Sequence, residues 1–325
     1  MSSHAPSVEM LALLKAVSRS FYLSIRFLPK PMRSGVAVGY LLARATDTLA
    51  DASTEDASVR VRLLERMRDV VEGKDDAGLA AELVDAVKGV DHGGERKLLG
   101  EWETVMRWMR SLPEDEQACV RRVIGTIVAG QISDVERFEI DAVGESIISL
   151  PDREALDAYT YSVAGCVGRF WTEMAVASLG DRVMGREPES QCEIGERFGR
   201  GLQMINILRD LAKDRLLGRC YLPMDWQERT GVSMMDTPDE LWEKADVWRE
   251  LCSEWLAAGR EYAAGMRGVR LRFTAMLPAL LAEATLAKLR NASWSEIEAG
   301  VKVSRREVKA MAWQALWFAI FGRRA

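Results

Sequence analysis

Apolar residues recur along most of the chain at the three-and-four spacing of a helix face. Leu63, Leu64, Met67, Val70 and Val71 form one such set, and Val120, Val123, Ile124, Ile127 and Val128 another. Alternating apolar and polar runs bounded by turn pairs, the mark of a half-buried strand, are scarce. Prolines fall at Pro29, Pro31, Pro113, Pro151, Pro188, Pro223, Pro238 and Pro278, where helices are expected to start or stop. Pro113-Glu114-Asp115-Glu116 and Pro151-Asp152-Arg153-Glu154 read as helix openings, with acids facing the positive end of the helix dipole. The polar stretches Gly73–Gly78, Val90–Gly94 and Gly231–Asp239 read as surface loops. The pattern predicts roughly ten or more helices and essentially no sheet, an all-α fold. No Gly/Ser/Pro-rich linker, composition shift or short repeat interrupts it, so a single helical domain over residues 1–325 is expected.

Composition narrows the chemistry. Of 325 residues 48% are apolar and 29% charged, as in ordinary globular proteins. The 44 basic and 49 acidic residues leave a net charge of −5, which argues against nucleic acid as partner. The stretch MSSHAPSVEM lacks a charged-then-apolar signal pattern. The longest apolar tract, Ala310 to Phe321, is broken by Gln314 and falls short of the ~20 residues of a spanning helix. Cys119, Cys166, Cys192, Cys220 and Cys252 are an odd number without a CxxC pair, the pattern of buried thiols in a reducing compartment. A cytosolic protein, at most peripheral to a membrane, is expected. The two histidines are His4 in the N-terminal stretch and His92 beside Gly93-Gly94. Neither is placed for a Ser-His-Asp or Cys-His device or a His-rich zinc site. Enzymatic chemistry would fall to carboxylates, Arg/Lys and Tyr.

Two segments carry such chemistry. Tyr40, Arg44, Asp47 and Asp51 are spaced 4, 3 and 4 apart and share one helix face. Gln203, Asn206, Asp210 and Asp214 are spaced 3, 4 and 4 and share another. Flanking positions are largely apolar, so both helices are expected to be substantially buried. Like charges at i, i+4 destabilise a helix by about 0.2–0.5 kcal/mol, and burial without a counter-charge costs more. A divalent cation removes the conflict. Mg²⁺ takes hard oxygen ligands and is commonly shared between one or two carboxylates and substrate phosphates. Paired aspartates beside arginines therefore suit a Mg²⁺-diphosphate. An isolated DxxxD is usually a solvated face, and Asp141/Glu145, Glu189/Glu193 and Glu250/Glu254 are read that way.

Four motifs in order, Ser18-Arg19-Ser20-Phe21, Asp47-Thr-Leu-Ala-Asp51, Tyr159-Thr-Tyr161-Ser-Val-Ala-Gly165-Cys-Val-Gly168 and Asn206-Ile-Leu-Arg209-Asp210, resemble the squalene/phytoene synthase family. The likeness runs from about Val17 to about Lys309. Gly218-Arg219-Cys-Tyr-Leu-Pro223, the Pro278–Ala287 segment and Gly300-Val-Lys302-Val-Ser-Arg305 resemble the squalene synthase branch more than the phytoene branch. The resemblance implies a helical isoprenoid synthase fold around a central hydrophobic cavity, with the two aspartate motifs at its mouth. It implies head-to-head condensation of two farnesyl diphosphates to presqualene diphosphate, then reduction with NADPH to squalene. By the same resemblance Asp47, Asp51, Asp210 and Asp214 would bind Mg²⁺-diphosphate, with Gln203 and Asn206 lining that site. Arg19, Arg44, Arg209 and Lys302 would contact diphosphate or NADPH phosphates. Tyr159 matches the family's catalytic tyrosine, and Ser18, Phe21 and Tyr40 would shape the pocket of the first farnesyl group.

Some positions depart from the family pattern. Ala50 and Lys213 stand where an acid often precedes the last aspartate of each motif, and Ser304 where an arginine is frequent. No GxGxxG supports the dinucleotide independently. Phe273 is the candidate counterpart of the family's second-step phenylalanine. Trp102/Trp108 and Trp313/Trp317 fall at helical spacings and read as packing residues. The stripe Trp313, Leu316, Trp317, Ile320 and Phe321, ending in Arg323-Arg324, reads first as a final core helix and second as a membrane-surface patch. A synthase that stops without reduction, at presqualene diphosphate, dehydrosqualene or phytoene, is the nearest rival; a non-catalytic helical partner protein is the rival from another class.

Overall fold

The computed structural model describes residues 6–18, 21–51, 54–139, 147–233 and 237–322. Helices make up nearly all of it, as the periodicity predicts. The chain groups into two compact units, one of residues 1–139 with 170–183, the other of residues 140–169 with 184–325.

The first unit holds α1 (Val8–Val17), α2 (Phe21–Phe27), α3 (Arg33–Asp51), α4 (Ala57–Val71), α5 (Leu79–Ala86), α6 (Gly93–Gly100), α7 (Trp102–Arg110) and α8 (Glu114–Glu139). Helix α3 is its centre and packs against α4, α6, α7 and α8. Its residues Val36, Ala37, Val38, Leu41, Leu42 and Leu49 are buried, so only a narrow stripe remains for polar side chains. Leu63, Leu64, Met67, Val70 and Val71 of α4 are buried, as are Val120, Val123, Ile124, Ile127 and Val128 of α8. Each set is the face its spacing predicted. His92, expected in a loop, caps α6: the Glu95 backbone N–H donates to His92 Nδ1 at 3.2 Å. An imidazole can accept there as a Ser or Asp oxygen would.

The second unit begins with β1 (Ile148–Ser149), α9 (Arg153–Thr160), a π-helical turn (Tyr161–Gly165) and the start of α10 (Cys166–Leu179). It continues through α11 (Pro188–Leu216), β2 (Arg219–Cys220), α12 (Met224–Thr230) and α13 (Pro238–Lys244). Helices α14 (Asp246–Gly265), α15 (Val269–Arg290), α16 (Trp294–Ala299) and α17 (Arg305–Phe321) complete it. Helix α14 lies between α11 and α15, and α17 packs on α15. Two-residue strands β1 and β2 pair in parallel, Ile148 with Arg219 and Ser149 with Cys220. Gln227 fastens them, its Nε2 donating to Ser149 Oγ at 2.8 Å.

Prolines mark helix starts at Pro188 and Pro238, in the first turns of α11 and α13, and at Pro223, the N-cap of α12. Pro278 corrects the expectation, because it lies inside α15. Its missing N–H costs one helix bond. Buried Ala275, Met276, Ala279, Leu280 and Ala282 on either side hold the helix through it. All five cysteines are buried thiols, none in a disulfide. Among the described residues no helix is long and apolar enough to cross a membrane.

The first reading of the C-terminal stripe is also corrected. Helix α17 buries Met311, Ala315 and Ala319, whereas Trp313 is 73% and Trp317 68% exposed, with Ile320 and Phe321 about half exposed. The side chains that look most like core are not on the core side. Small residues face α15 because the two helices approach closely.

Candidate active site

The first unit carries the polar stripe of α3. Arg44 lies between two carboxylates, its Nη1 2.6 Å from Asp47 Oδ2 and its Nη2 hydrogen-bonded to Glu95 Oε1 on α6. The Nε of Arg44 is buried and has no hydrogen-bond partner, leaving a donor for an anion. Asp51 follows one turn beyond Asp47, exposed at the end of α3. Burial pushes the Asp47 carboxyl up to about 6, the Asp51 charge adds to this, and Arg44 pulls the other way. Yet 42% of the Asp47 side chain meets solvent. The crowding comes from the helices below it, and the side open to water is where a cation can approach. At the other end of the stripe the Tyr40 hydroxyl donates to the Val17 carbonyl at 3.4 Å. Ser18, buried next to Val17, accepts from the Tyr22 N–H at 3.2 Å. Ser18, Tyr40, Arg44, Asp47 and Asp51 are thus positioned by the junction of α1, α2 and α3. Arg19 and the Phe21 side chain lie outside the described residues.

The second unit carries the other set, on α11. Gln203 Nε2 donates to the Tyr159 hydroxyl oxygen at 3.2 Å, and Asn206 Nδ2 donates to Gln203 Oε1 at 3.1 Å. The Tyr159 ring stacks on Tyr221, centroids 4.5 Å apart and planes at 20°. Three expected site residues therefore form one relay, Asn206 to Gln203 to Tyr159. The Tyr159 hydroxyl oxygen accepts from Gln203, so α11 fixes where the phenol points. Arg209 holds Asp210 bidentately, Nε to Oδ1 at 3.0 Å and Nη2 to Oδ2 at 2.7 Å. Asp214 is buried and pairs with Arg219 Nε at 3.2 Å. Burial raises its carboxyl pKa while Arg219 opposes the shift.

The relay depends on glycines. Helices α10 and α11 approach so closely at Gly168 and Gly195 that a Cβ on Gly168 would lie 1.9 Å from the Gly195 carbonyl oxygen. A Cβ on Gly199 would lie 2.3 Å from the Ala164 oxygen. This contact fixes the π turn against α11 and so sets Tyr159 against Gln203.

The carboxylates suit magnesium shared with a diphosphate better than a metal cage built from protein alone. Among the described residues no group of three or more His, Cys, Asp or Glu converges on one point. Two carboxylates on one helix, one of them reluctant to ionise, leave the remaining coordination to water and phosphate oxygens. On α11 a cation would compete with Arg209 and Arg219 for Asp210 and Asp214.

Lys302 stands exposed between α16 and α17, in no ion pair, and its backbone carbonyl accepts from Lys288 Nζ at 3.3 Å. Ser304 caps α17 in a reciprocal box with Glu307, which also pairs with Lys288. Ser304 thus serves to start a helix. Phe273 is half-buried on α15. Glu189, Glu193, Glu250 and Glu254 lie on exposed faces as expected, while Asp141/Glu145 lie outside the described residues.

Glu95, Arg219 and Tyr221 are site residues that spacing alone did not supply. Glu95 sits three residues past the cap of α6, where an acid reads as helix chemistry. Its burial against Arg44 follows from how α3 and α6 pack. Arg219 on β2 pairs with Asp214 of α11, and Tyr221, the residue after β2, stacks on Tyr159 of α9; a two-residue strand is too short to read.

The family model for squalene/phytoene synthase matches residues 14–307. A presqualene diphosphate synthase of Rhodopseudomonas palustris is 29% identical over 221 residues, 68% of this chain and 64% of that protein. A presqualene diphosphate synthase of Zymomonas mobilis is 28% identical over 319 residues, 97% of this chain and 92% of that one. The matched region thus covers less than two thirds of the first relative and nearly all of the second. The solved complex of TcSQS with the ligand E5700 superposes with a TM-score of 0.78 at 22% identity, over 96% of this chain and 88% of that one. At that identity the likeness speaks for the fold.

Proposed function

Because the chain belongs to the squalene/phytoene synthase family, matched from residue 14 to residue 307, we propose that it condenses two farnesyl diphosphates head to head. The product is presqualene diphosphate, which it reduces to squalene. The observation that supports this reading is the Asn206–Gln203–Tyr159 relay, built on the same helix α11 that carries Asp210 and Asp214.

The first step ionises an allylic diphosphate, and the chain's part in it is electrostatic. Asp47, Asp51, Asp210 and Asp214 are the residues to hold Mg²⁺. When bound, the metal supplies positive charge to the leaving diphosphate. Arg44, with a buried Nε free to donate, and Arg209 add fixed donors. Arg209 must share itself between Asp210 and the diphosphate. Ser18, Tyr40 and the nearby apolar residues of α3 shape the pocket of the first prenyl chain and exclude water from the cation. Closing the cyclopropane of presqualene diphosphate releases one proton and one diphosphate. Tyr159 Oη, which accepts from Gln203, is the atom assigned here to move that proton. The stacked Tyr159 and Tyr221 rings present π-faces to the carbocation, worth about 0.5–2 kcal/mol each. In the second step the remaining diphosphate leaves, and NADPH, when bound, would supply the hydride that quenches the cation. Lys302, an exposed cation outside any ion pair, and Arg19, Arg44 and Arg209 are the residues to hold its phosphates.

A second reading ends the reaction at presqualene diphosphate. It is favoured by Ser304, which is engaged in capping α17 instead of offering a cation, and by the name of the Zymomonas mobilis relative.

The test is turnover of farnesyl diphosphate by wild type, Asp47→Ala and Asp210→Ala, with helicity checked by circular dichroism. Folded but inactive variants support the proposal. Unchanged turnover in both variants removes these carboxylates from catalysis, and an inert wild type points to a non-catalytic helical protein.

A further inference from the structure

Helix α17 carries Trp313, Trp317, Ile320 and Phe321 on the side away from α15. Met311, Ala315 and Ala319 face α15, and Arg272 Nη1 donates to the Ala319 carbonyl at 3.4 Å, fastening the last turn. On the opposite face Lys309, Trp313 and Trp317 follow at steps of four, with Ile320 and Phe321 one turn on. Trp313 and Trp317 are 73% and 68% exposed, and Ile320 and Phe321 48% and 51%. Trp317 and Phe321 rest against each other, ring centroids 4.4 Å apart, so the patch is continuous.

Its rim is positive. Arg305, Arg306 and Lys309 are exposed and in no ion pair, and Glu307, the acid of this helix, already pairs with Lys288. In a chain of net charge −5 this is a local reversal of sign. An aromatic face beside unpaired cations matches a bilayer surface with anionic headgroups, since indole rings settle at the boundary of headgroups and acyl chains. A second copy of the chain would bring the same cations against themselves.

We propose that α17 lies in the plane of an anionic membrane, Trp313, Trp317, Ile320 and Phe321 among the upper acyl chains and Arg305, Arg306 and Lys309 at the headgroups. No described helix is long and apolar enough to span, and the contact proposed is peripheral and reversible. It requires no turnover and stands or falls separately from the reaction proposed above.

The experiment is flotation of the full chain, without substrate, on phosphatidylcholine vesicles and on phosphatidylcholine–phosphatidylglycerol vesicles. Wild type is expected to float with the anionic vesicles and to be released by salt. Trp313→Ser/Trp317→Ser should bind about tenfold more weakly or worse, and Lys309→Glu should lose part of the anionic preference. Because these side chains are exposed, both variants should keep wild-type helicity and wild-type turnover of detergent-dispersed substrate. Wild type that floats with neither vesicle overturns the proposal, as does a double variant that floats as well as wild type. A wild-type dimer that the double variant dissociates, with no flotation by either, assigns the face to a second copy instead. Protein that floats but makes no product leaves the contact standing and counts against the proposed reaction.

Discussion

Asp47→Asn should make the ligand-free protein more stable at neutral pH while abolishing turnover. The Asp47 carboxyl is held up to about 6 by burial and by Asp51, against an ordinary value of 3.8. Taken whole, that shift makes the ionised form about 3 kcal/mol costlier in the folded protein. With 42% of the side chain in solvent, screening reduces the figure to about 1–2 kcal/mol. The sign follows from the direction of the shift. A carboxyl raised in the folded state contributes its stability fully below 3.8 and loses it as pH rises through about 6. Asparagine has the same shape, can still accept from Arg44 Nη1, and carries no charge to lose. Urea unfolding in magnesium-free buffer, followed by far-UV circular dichroism, should therefore show the variant ahead by about 1–2 kcal/mol near neutral pH. The advantage should vanish as pH falls to about 4. Adding Mg²⁺ with a non-reactive diphosphate should reverse the order, since only wild type offers the full carboxylate pair. A variant that is less stable than wild type by the same amount at both pH values would refute the argument that Asp47 is electrostatically strained.

Two further predictions probe the supports of the site. Gly168→Ala places a methyl group 1.9 Å from the Gly195 carbonyl oxygen, and forcing the helices apart should cost roughly 3 kcal/mol or more, read as a lowered thermal midpoint; an unchanged midpoint would show that the α10–α11 contact is looser than described. Ser304→Ala removes the cap of α17 and should cost about 1 kcal/mol, whereas Ser304→Asp should restore it; equal stabilities for all three proteins would deny the capping role.

What could be read from the sequence follows from which interactions are local. Tyr40, Arg44, Asp47 and Asp51 share a face because helical geometry alone decides it, and the buried flanks of α3 were evident from its apolar neighbours. The same holds for Gln203, Asn206 and Asp210. The bond from Gln203 to Tyr159 joins residues far apart in sequence, and neither spacing nor the family resemblance pointed to it. Glu95 was out of reach because its role exists only where α6 meets α3. Pro278 was read as a boundary since a proline's local cost is legible, while the buried flanks that outweigh it are not. In α17 the pattern of large apolar residues gave the wrong inward face. The close approach of α15 selects Ala315 and Ala319, and nothing local to the helix records that neighbour.

The central claim, head-to-head condensation followed by reduction, is met most directly by analysing products from farnesyl diphosphate and Mg²⁺, with and without NADPH. The account predicts presqualene diphosphate without NADPH and squalene with it. A product indifferent to NADPH would contradict the reductive step, and the absence of any head-to-head product would contradict the claim itself.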